Sequence, residues 1–325
     1  MRLTLLSAAD LRAALPMPAA IAAMKAAFAE LSTGKANTPL RTALPIPAVE
    51  GLALFMPAHA PSSGLGAKIV SVFPRNAEFG QPIIHGIVIL LDAATGEPLA
   101  LCDGAFLTAW RTGAASGAAT DVLARPDAKT AALLGCGAQA RTQALAIDAV
   151  RALDSLRVYA LRADRVQQFI AEMQPQVRAT LAAAPSSADA VRGADIVCAA
   201  TTSPTPVFDG ALLKPGAHVN GIGSYTLQMQ EVDAVTVARA RIFVDSRESA
   251  LAEAGDLVIP LRAGQTRAEG WIELGEVVAG IKPGRQSPDE ITFFKSVGVA
   301  VQDVAAAGAA LAEARARRLG KEVEF

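Results

Sequence analysis

The stretch Gly135-Cys136-Gly137-Ala138-Gln139-Ala140 fits the spacing G-x-G-x-x-G/A. A short apolar run, Ala131 to Leu134, enters it, and the helical run "AQARTQALAIDAVRAL" leaves it. In that setting Gly135 permits a sharp turn, Gly137 lets the backbone approach a pyrophosphate, and Ala140 keeps the helix close to the strand. The amides and dipole of the helix N-terminus then favour the phosphates. A plain tight turn would explain the glycines alone. The strand before, the helix after and the further βα units downstream select the dinucleotide.

Four side chains suggest what a bound nicotinamide would act upon. Arg111 stands between apolar residues in "LTAWRTGAA", where an unpaired charge would be costly. Lys68, interrupting the apolar strand pattern of "GLGAKIVSV", is either a buried site residue or a solvent-facing strand lysine, and Arg41, in "PLRTALP", is either a carboxylate clamp or an ordinary surface arginine. A guanidinium suits a carboxylate because it makes two parallel charge-assisted hydrogen bonds. A lysine buried beside arginines gives up its proton more easily. His85, in "GQPIIHG", is either a proton donor titrating near neutrality or a strand histidine with one satisfied hydrogen bond.

The choice between the two nicotinamide dinucleotides turns on "LRVYALRADR". An NAD site commonly places an acid about 20 residues beyond the glycine loop. Here Ala160 and Leu161 are followed by Arg162 and Arg165, with Asp164 between them. Two guanidinium groups and no repelling carboxylate at the strand end point to NADP(H) ahead of NAD(H). The plain alternative is that both arginines are solvated at a helix start.

These residues need elements to hold them. The 325 residues suit two compact domains, and 52% hydrophobic against 19% charged residues provides ample burial. A net charge of −1 gives no reason to expect nucleic acid or an anionic membrane as a partner. No apolar run reaches the length of a bilayer span. Cys102, Cys136 and Cys198 are too scattered for a disulfide framework or metal knuckle, and the three histidines form no ligand pair. A reducing cytoplasm and no protein-bound metal are expected. The middle of the chain alternates β-like and helical runs, implying a mostly parallel sheet covered on both faces. The first hundred residues read as a helix followed by an antiparallel or mixed sheet. "DEITFFKSVGVAVQDVAAAGAALAEARARRLG" reads as one long amphipathic helix returning to that first part. The expected architecture is α/β: a Rossmann-type domain over 115–302, and a discontinuous α+β substrate-binding and dimerisation domain over 1–114 and 303–325.

With the loop joined to "LTAWRTGAASGAAT", "ADIVCAATTSPTPVF", "VDSRESALAEAGDL" and "ITFFKSVGVAVQD" in this order, the chain resembles the ornithine cyclodeaminase/mu-crystallin family over nearly its whole length. The resemblance implies a homodimer whose substrate-binding domain is built from both chain ends around a Rossmann domain. It implies an enzyme passing a hydride between nicotinamide and a carbon that bears a carboxylate and a nitrogen. Arg41, Lys68 and Arg111 match the family's carboxylate-binding and proton-relaying residues, Arg111 lying also at the cofactor. Thr112, Ala138, Gln139 and Thr201 match cofactor contacts. Ser296 and Val297 match a segment closing over nicotinamide and substrate.

Two departures narrow the reaction. Where the cyclodeaminases carry a catalytic aspartate, counting along "NGIGSYTLQMQEVD" places Tyr225, whose phenol cannot replace a carboxylate base. Where related reductases read similarly to "PTHQG", this chain has Ile83, Ile84 and His85. The expected function is therefore NAD(P)H-dependent reduction of a small cyclic imino acid. Δ1-pyrroline-2-carboxylate, giving L-proline, fits best, with Δ1-piperideine-2-carboxylate, giving L-pipecolate, a further substrate. The alternatives are an alanine-type amino-acid dehydrogenase, an ornithine cyclodeaminase, and a mu-crystallin-like binder of a small ligand and NADPH.

Overall fold

Alternation in "GLGAKIVSV" forms a strand with Gly66, Lys68 and Val70 on its buried face and Ile69 on its exposed one. The computed structural model describes residues 2–324. It divides into two compact units, Met1–Arg111 with Val299–Phe325, and Thr112–Gly298. The sequence reading placed the boundaries after residues 114 and 302. Thr112–Ala114 group instead with the second unit, and Val299–Gln302 with the first.

Elements are numbered along the whole chain. The first unit contains β1 (Arg2–Leu6), β2 (Thr42–Ile46), β3 (Gly51–Ala60), β4 (Gly64–Val72), β5 (Ile84–Leu91), β6 (Pro98–Asp103) and β15 (Lys321–Glu324). They form one seven-stranded sheet in the order β15-β1-β6-β5-β4-β3-β2. Only β1 and β6 run parallel; the other neighbours are antiparallel. Helices α1 (Ala8–Ala14), α2 (Met17–Ser32) and α11 (Ala300–Arg317) complete the unit, with the start of α3 (Gly104–Leu123). α11 packs on β3, β4 and β5. The approach is close: a Cβ at Gly308 would stand 2.7 Å from the Ser63 carbonyl oxygen. The opposite face of the sheet carries exposed Leu44, Phe55, Ile69 and Ile87.

The second unit is a parallel eight-stranded sheet. Its strands are β7 (Thr130–Leu134), β8 (Ser155–Tyr159), β9 (Thr180–Ala183), β10 (Ile196–Ala199), β11 (His218–Gly221), β12 (Ala240–Val244), β13 (Ile272–Glu273) and β14 (Ile291–Lys295). Between them run α4 (Ala138–Val150), α5 (Ala163–Met173), α6 (Ser187–Val191), α7 (Ala234–Arg239), α8 (Arg247–Glu253), α9 (Gly255–Arg262) and α10 (Leu274–Val278). Alternate residues of β7 enter two separate cores, Ala131 and Leu133 one, Ala132 and Leu134 the other. The strand order, β13-β12-β14-β11-β10-β7-β8-β9, reverses between β7 and β10. In such doubly wound sheets that reversal is where dinucleotides bind.

The tail departs from expectation. "ITFFK" is not the start of a long helix but a fully buried strand between β11 and β12. A strand buried on both faces shows no alternation, so its periodicity cannot be told from that of a buried helix segment. Among the described residues, no single helix is long and apolar enough to cross a membrane.

Candidate functional site

In the first unit, three charged side chains meet in the interior. Lys68 projects from β4 toward α11, and its Nζ lies 2.8 Å from Asp303 Oδ2. Asp303 Oδ1 accepts from Arg111 Nε at 3.0 Å. Arg111 Nη1 donates to Gln302 Oε1 at 2.5 Å, and that same oxygen accepts from the Val299 amide. All four side chains are buried. The neighbouring Trp110 anchors α3 by donating its indole N–H to the Leu15 carbonyl at 2.7 Å.

Burial and opposing charges decide the protonation of this cluster. Desolvation, with help from Arg111 and Arg41, brings Lys68 down to about 7 although Asp303 pulls the other way. Burial alone would raise the Asp303 carboxyl; Arg111 and Lys68 overcome it and hold the group below the usual carboxylate range. Its place in the first turn of α11 favours negative charge as well. Arg41, half-buried just ahead of β2, adds its positive field. Lys68 and Arg111 thus share one buried carboxylate, with the field of Arg41 acting on Lys68.

His85 does not join them. It faces Ser71 across the β4–β5 ladder, whereas Lys68 faces Val88. Cross-strand partners share a face and successive residues alternate. His85 is therefore exposed on the sheet face opposite Lys68.

The second unit carries the glycine loop. Gly135 has φ +109°, and a Cβ there would lie 2.4 Å from the Ala200 carbonyl oxygen. Its amide donates to the Tyr159 carbonyl at 2.8 Å. Gly137 is the N-cap of α4 and supplies no side-chain cap, whereas Ser7, Ser186, Asp233 and Ser246 cap α1, α6, α7 and α8. Gly137 and Ala138 are exposed, Gln139 is half-buried and Ala140 is buried. Arg141 fixes the loop from behind, donating to the Cys136 and Gly137 carbonyls at 3.0 Å while paired with Glu172. An uncapped helix start behind an open glycine turn, at the point of strand reversal, fits a dinucleotide pyrophosphate.

Arg162 and Arg165 are exposed on the start of α5, and Arg162 is paired with Asp164 at 2.6 Å. Thr112 is buried on α3, its carbonyl accepting from Gln143 Nε2 at 3.4 Å. Thr201 follows β10 and donates its amide to Glu231. The same Glu231 carboxylate accepts from the Gly223 and Ser224 amides, tying the ends of β10 and β11 together. Burial pushes Glu231 up, against the pull of Lys295 and the amides. Lys295 Nζ pairs with Asp256 at 2.8 Å and donates to the Ser224 carbonyl at 2.6 Å. Tyr225, next along, is exposed. Ser296 and Val297 are buried and held by Asp245, whose Oδ2 accepts from Ser296 Oγ and from the Val297 and Gly298 amides.

The sequence did not single out Asp303 and Gln302, which join the buried cluster, or Glu231, Asp245, Asp256 and Lys295, which tie the strand ends of the second unit. Lys295 carried the signal that exposed Lys68, a cation inside an apolar run. The carboxylates carried none, because a buried acid beside helix-forming residues reads as a solvated helix face.

The sequence pattern of the ornithine cyclodeaminase/mu-crystallin family matches residues 2–317. The chain belongs to the ornithine cyclodeaminase/mu-crystallin family. Within it, the chain is 40% identical to a Delta(1)-pyrroline-2-carboxylate reductase of Bacillus cereus, over 98% of this chain and 99% of that one. Its fold is similar to the Thermococcus litoralis Delta(1)-pyrroline-2-carboxylate reductase solved with NADH and L-proline, with TM-score 0.95, 39% identity and coverage of 99% and 100%. It is also similar to an archaeal alanine dehydrogenase dimer with bound NAD, with TM-score 0.93, 32% identity and full coverage of both chains. The second unit is accordingly a Rossmann-type domain of this family's kind.

Proposed function

We propose that this protein reduces the C=N bond of a small cyclic imino acid, Δ1-pyrroline-2-carboxylate to L-proline, at the expense of a reduced nicotinamide dinucleotide. The observation that carries this is the buried Lys68–Asp303–Arg111 cluster with Arg41 beside it. Arg111, Lys68 and Arg41 hold the substrate carboxylate, with the guanidinium groups giving paired hydrogen bonds. The Gly135–Ala140 loop with Thr112, Thr201 and Ser296 would hold the reduced dinucleotide, which when bound would supply a hydride for C2. The C=N π pair passes to nitrogen, which takes a proton from the Lys68 ammonium, directly or through water, and the secondary amine results. Val297 borders the substrate. One added methylene is discriminated by about 1–3 kcal/mol, so Δ1-piperideine-2-carboxylate is a second substrate, giving L-pipecolate.

The family's other chemistries separate in one assay, the loss of the reduced dinucleotide's near-ultraviolet absorbance. Oxidation by Δ1-pyrroline-2-carboxylate without ammonia is expected. Oxidation by pyruvate only when ammonia is added would replace this reading with an amino-acid dehydrogenase, and ammonia release from ornithine would replace it with a cyclodeaminase. Tyr225 argues against the latter.

NADPH is proposed as the better donor, with NADH accepted. The Arg162–Asp164 pair is exposed and screened by water, so a 2′-phosphate can take over the guanidinium. Arg162→Ala is expected to raise KM for NADPH about tenfold and leave that for NADH within about twofold; equal changes would contradict the assignment.

The working form is proposed to be a homodimer joined through the exposed sheet face bearing Phe55, Ile69 and Ile87. His85 is part of that face. Ile69→Glu places a charge there without touching the Lys68 face. Sedimentation should show a monomer where the unaltered protein is a dimer; an unchanged dimer would move the interface elsewhere. The three unpaired cysteines suit a cytoplasmic location.

A further inference from the structure

We propose that Asp303 is a positioning residue for the reduction: its carboxylate, bridging Arg111 and Lys68, keeps Lys68 charged and in place, and thereby sets the alkaline limit of the reaction. This rests on the reading of Lys68 as proton donor. The two carboxylate oxygens are divided between the two cations, Oδ1 to Arg111 Nε at 3.0 Å and Oδ2 to Lys68 Nζ at 2.8 Å. Asp303 is fully buried and fixed by α11, which Gly308 seats against the turn after β3. It therefore cannot swing to water when substrate arrives.

The surroundings leave Asp303 as the stabiliser of the ammonium. Met56 and Val88, the cross-strand neighbours of Lys68 on β3 and β5, are uncharged. From α3 comes Arg111 and from the segment ahead of β2 comes Arg41, both opposing a proton on Lys68; from α11 comes Asp303, favouring it. Lys68 lies at about 7, so it is an ammonium below that pH and an amine above it. Removing the Asp303 charge shifts that boundary further down. The alkaline limb of kcat/KM then moves to lower pH, because the donor loses its proton sooner. A substrate carboxylate acts in the opposite sense, restoring negative charge beside Lys68 as the proton is needed.

The test follows Lys68 itself as well as turnover. With lysine labelled by ¹³C at Cε, eight lysines give few signals, and Lys68→Arg identifies the one of interest. Its titration is expected to fall by at least about one pH unit in Asp303→Asn and to stay near the unaltered value in Asp303→Glu. The kcat/KM deficit of Asp303→Asn should grow about tenfold between ~pH 5.5 and ~pH 8, with Asp303→Glu restoring the profile. The substrate's own ionisation is common to all variants, so the difference reports the enzyme. An unmoved Lys68 titration in Asp303→Asn would overturn the assignment of Asp303 alone. A titration that moves while the alkaline limb does not would overturn its role in the reaction. Failure of the unaltered protein to reduce any ketimine would instead overturn the reading of the previous section.

Discussion

Lys68→Met is expected to lower kcat/KM for Δ1-pyrroline-2-carboxylate by about three orders of magnitude. A positioned general acid contributes about 10²–10⁴-fold, and a lost charge-assisted contact to the carboxylate adds to the effect. The expected split is a fall in kcat together with a rise in KM, since one ammonium serves both proton transfer and binding. Methionine keeps an unbranched chain in the buried slot on β4, and Asp303 remains paired with Arg111. The variant should therefore fold, which circular dichroism would verify beside steady-state kinetics. A loss confined to KM would mean that Lys68 only binds and that water supplies the proton. Lys68→Arg gives a further distinction, because it keeps the charge but donates its proton far less readily.

The second large effect belongs to the glycine loop, where the two glycines should fail differently. Gly135→Ala meets two obstacles: the backbone at φ +109°, and a Cβ 2.4 Å from the Ala200 carbonyl oxygen. A non-glycine residue in such a conformation costs about 1–3 kcal/mol, and relieving the clash requires the ends of β7 and β10 to part. Reduced Tm and dinucleotide binding weakened at least about a hundredfold are expected together. At Gly137 a Cβ would meet nothing within 4 Å. Gly137→Ala should therefore leave Tm nearly unchanged yet weaken the dinucleotide, because the methyl group occupies space needed by the pyrophosphate. Thermal melts and fluorescence titration with NADPH and NADH separate the two cases. Equal, unaltered affinities in both variants would remove the dinucleotide from this loop.

What the sequence disclosed follows from how far each signal reaches along the chain. The glycine loop is local: turn, strand and helix lie within a few residues, so Gly135, Gly137 and Ala140 were legible. The alternating βα runs likewise announced the parallel sheet. Lys68 and Arg111 were visible because a charge inside an apolar run is costly wherever the chain folds. Their common partner was not, since Asp303 lies 192 residues from Arg111 and nothing in its neighbourhood marks it as buried. The place of His85 was hidden for a related reason. Its residue type suggested chemistry, but the face it occupies depends on the register of β4 against β5. The helix expected at "ITFFK" failed where a run buried on both faces shows no period. Glu231 and Asp245 were hidden because they act on backbone amides, which every residue possesses.

The most direct test of the central claim follows the transferred hydrogen. Reduced dinucleotide carrying deuterium at both C4 positions is incubated with the protein and unlabelled Δ1-pyrroline-2-carboxylate, and the product is examined by mass spectrometry and proton NMR. The account predicts L-proline with one deuterium at C2 and none elsewhere. Proline without deuterium, or oxidised dinucleotide without proline, would contradict it.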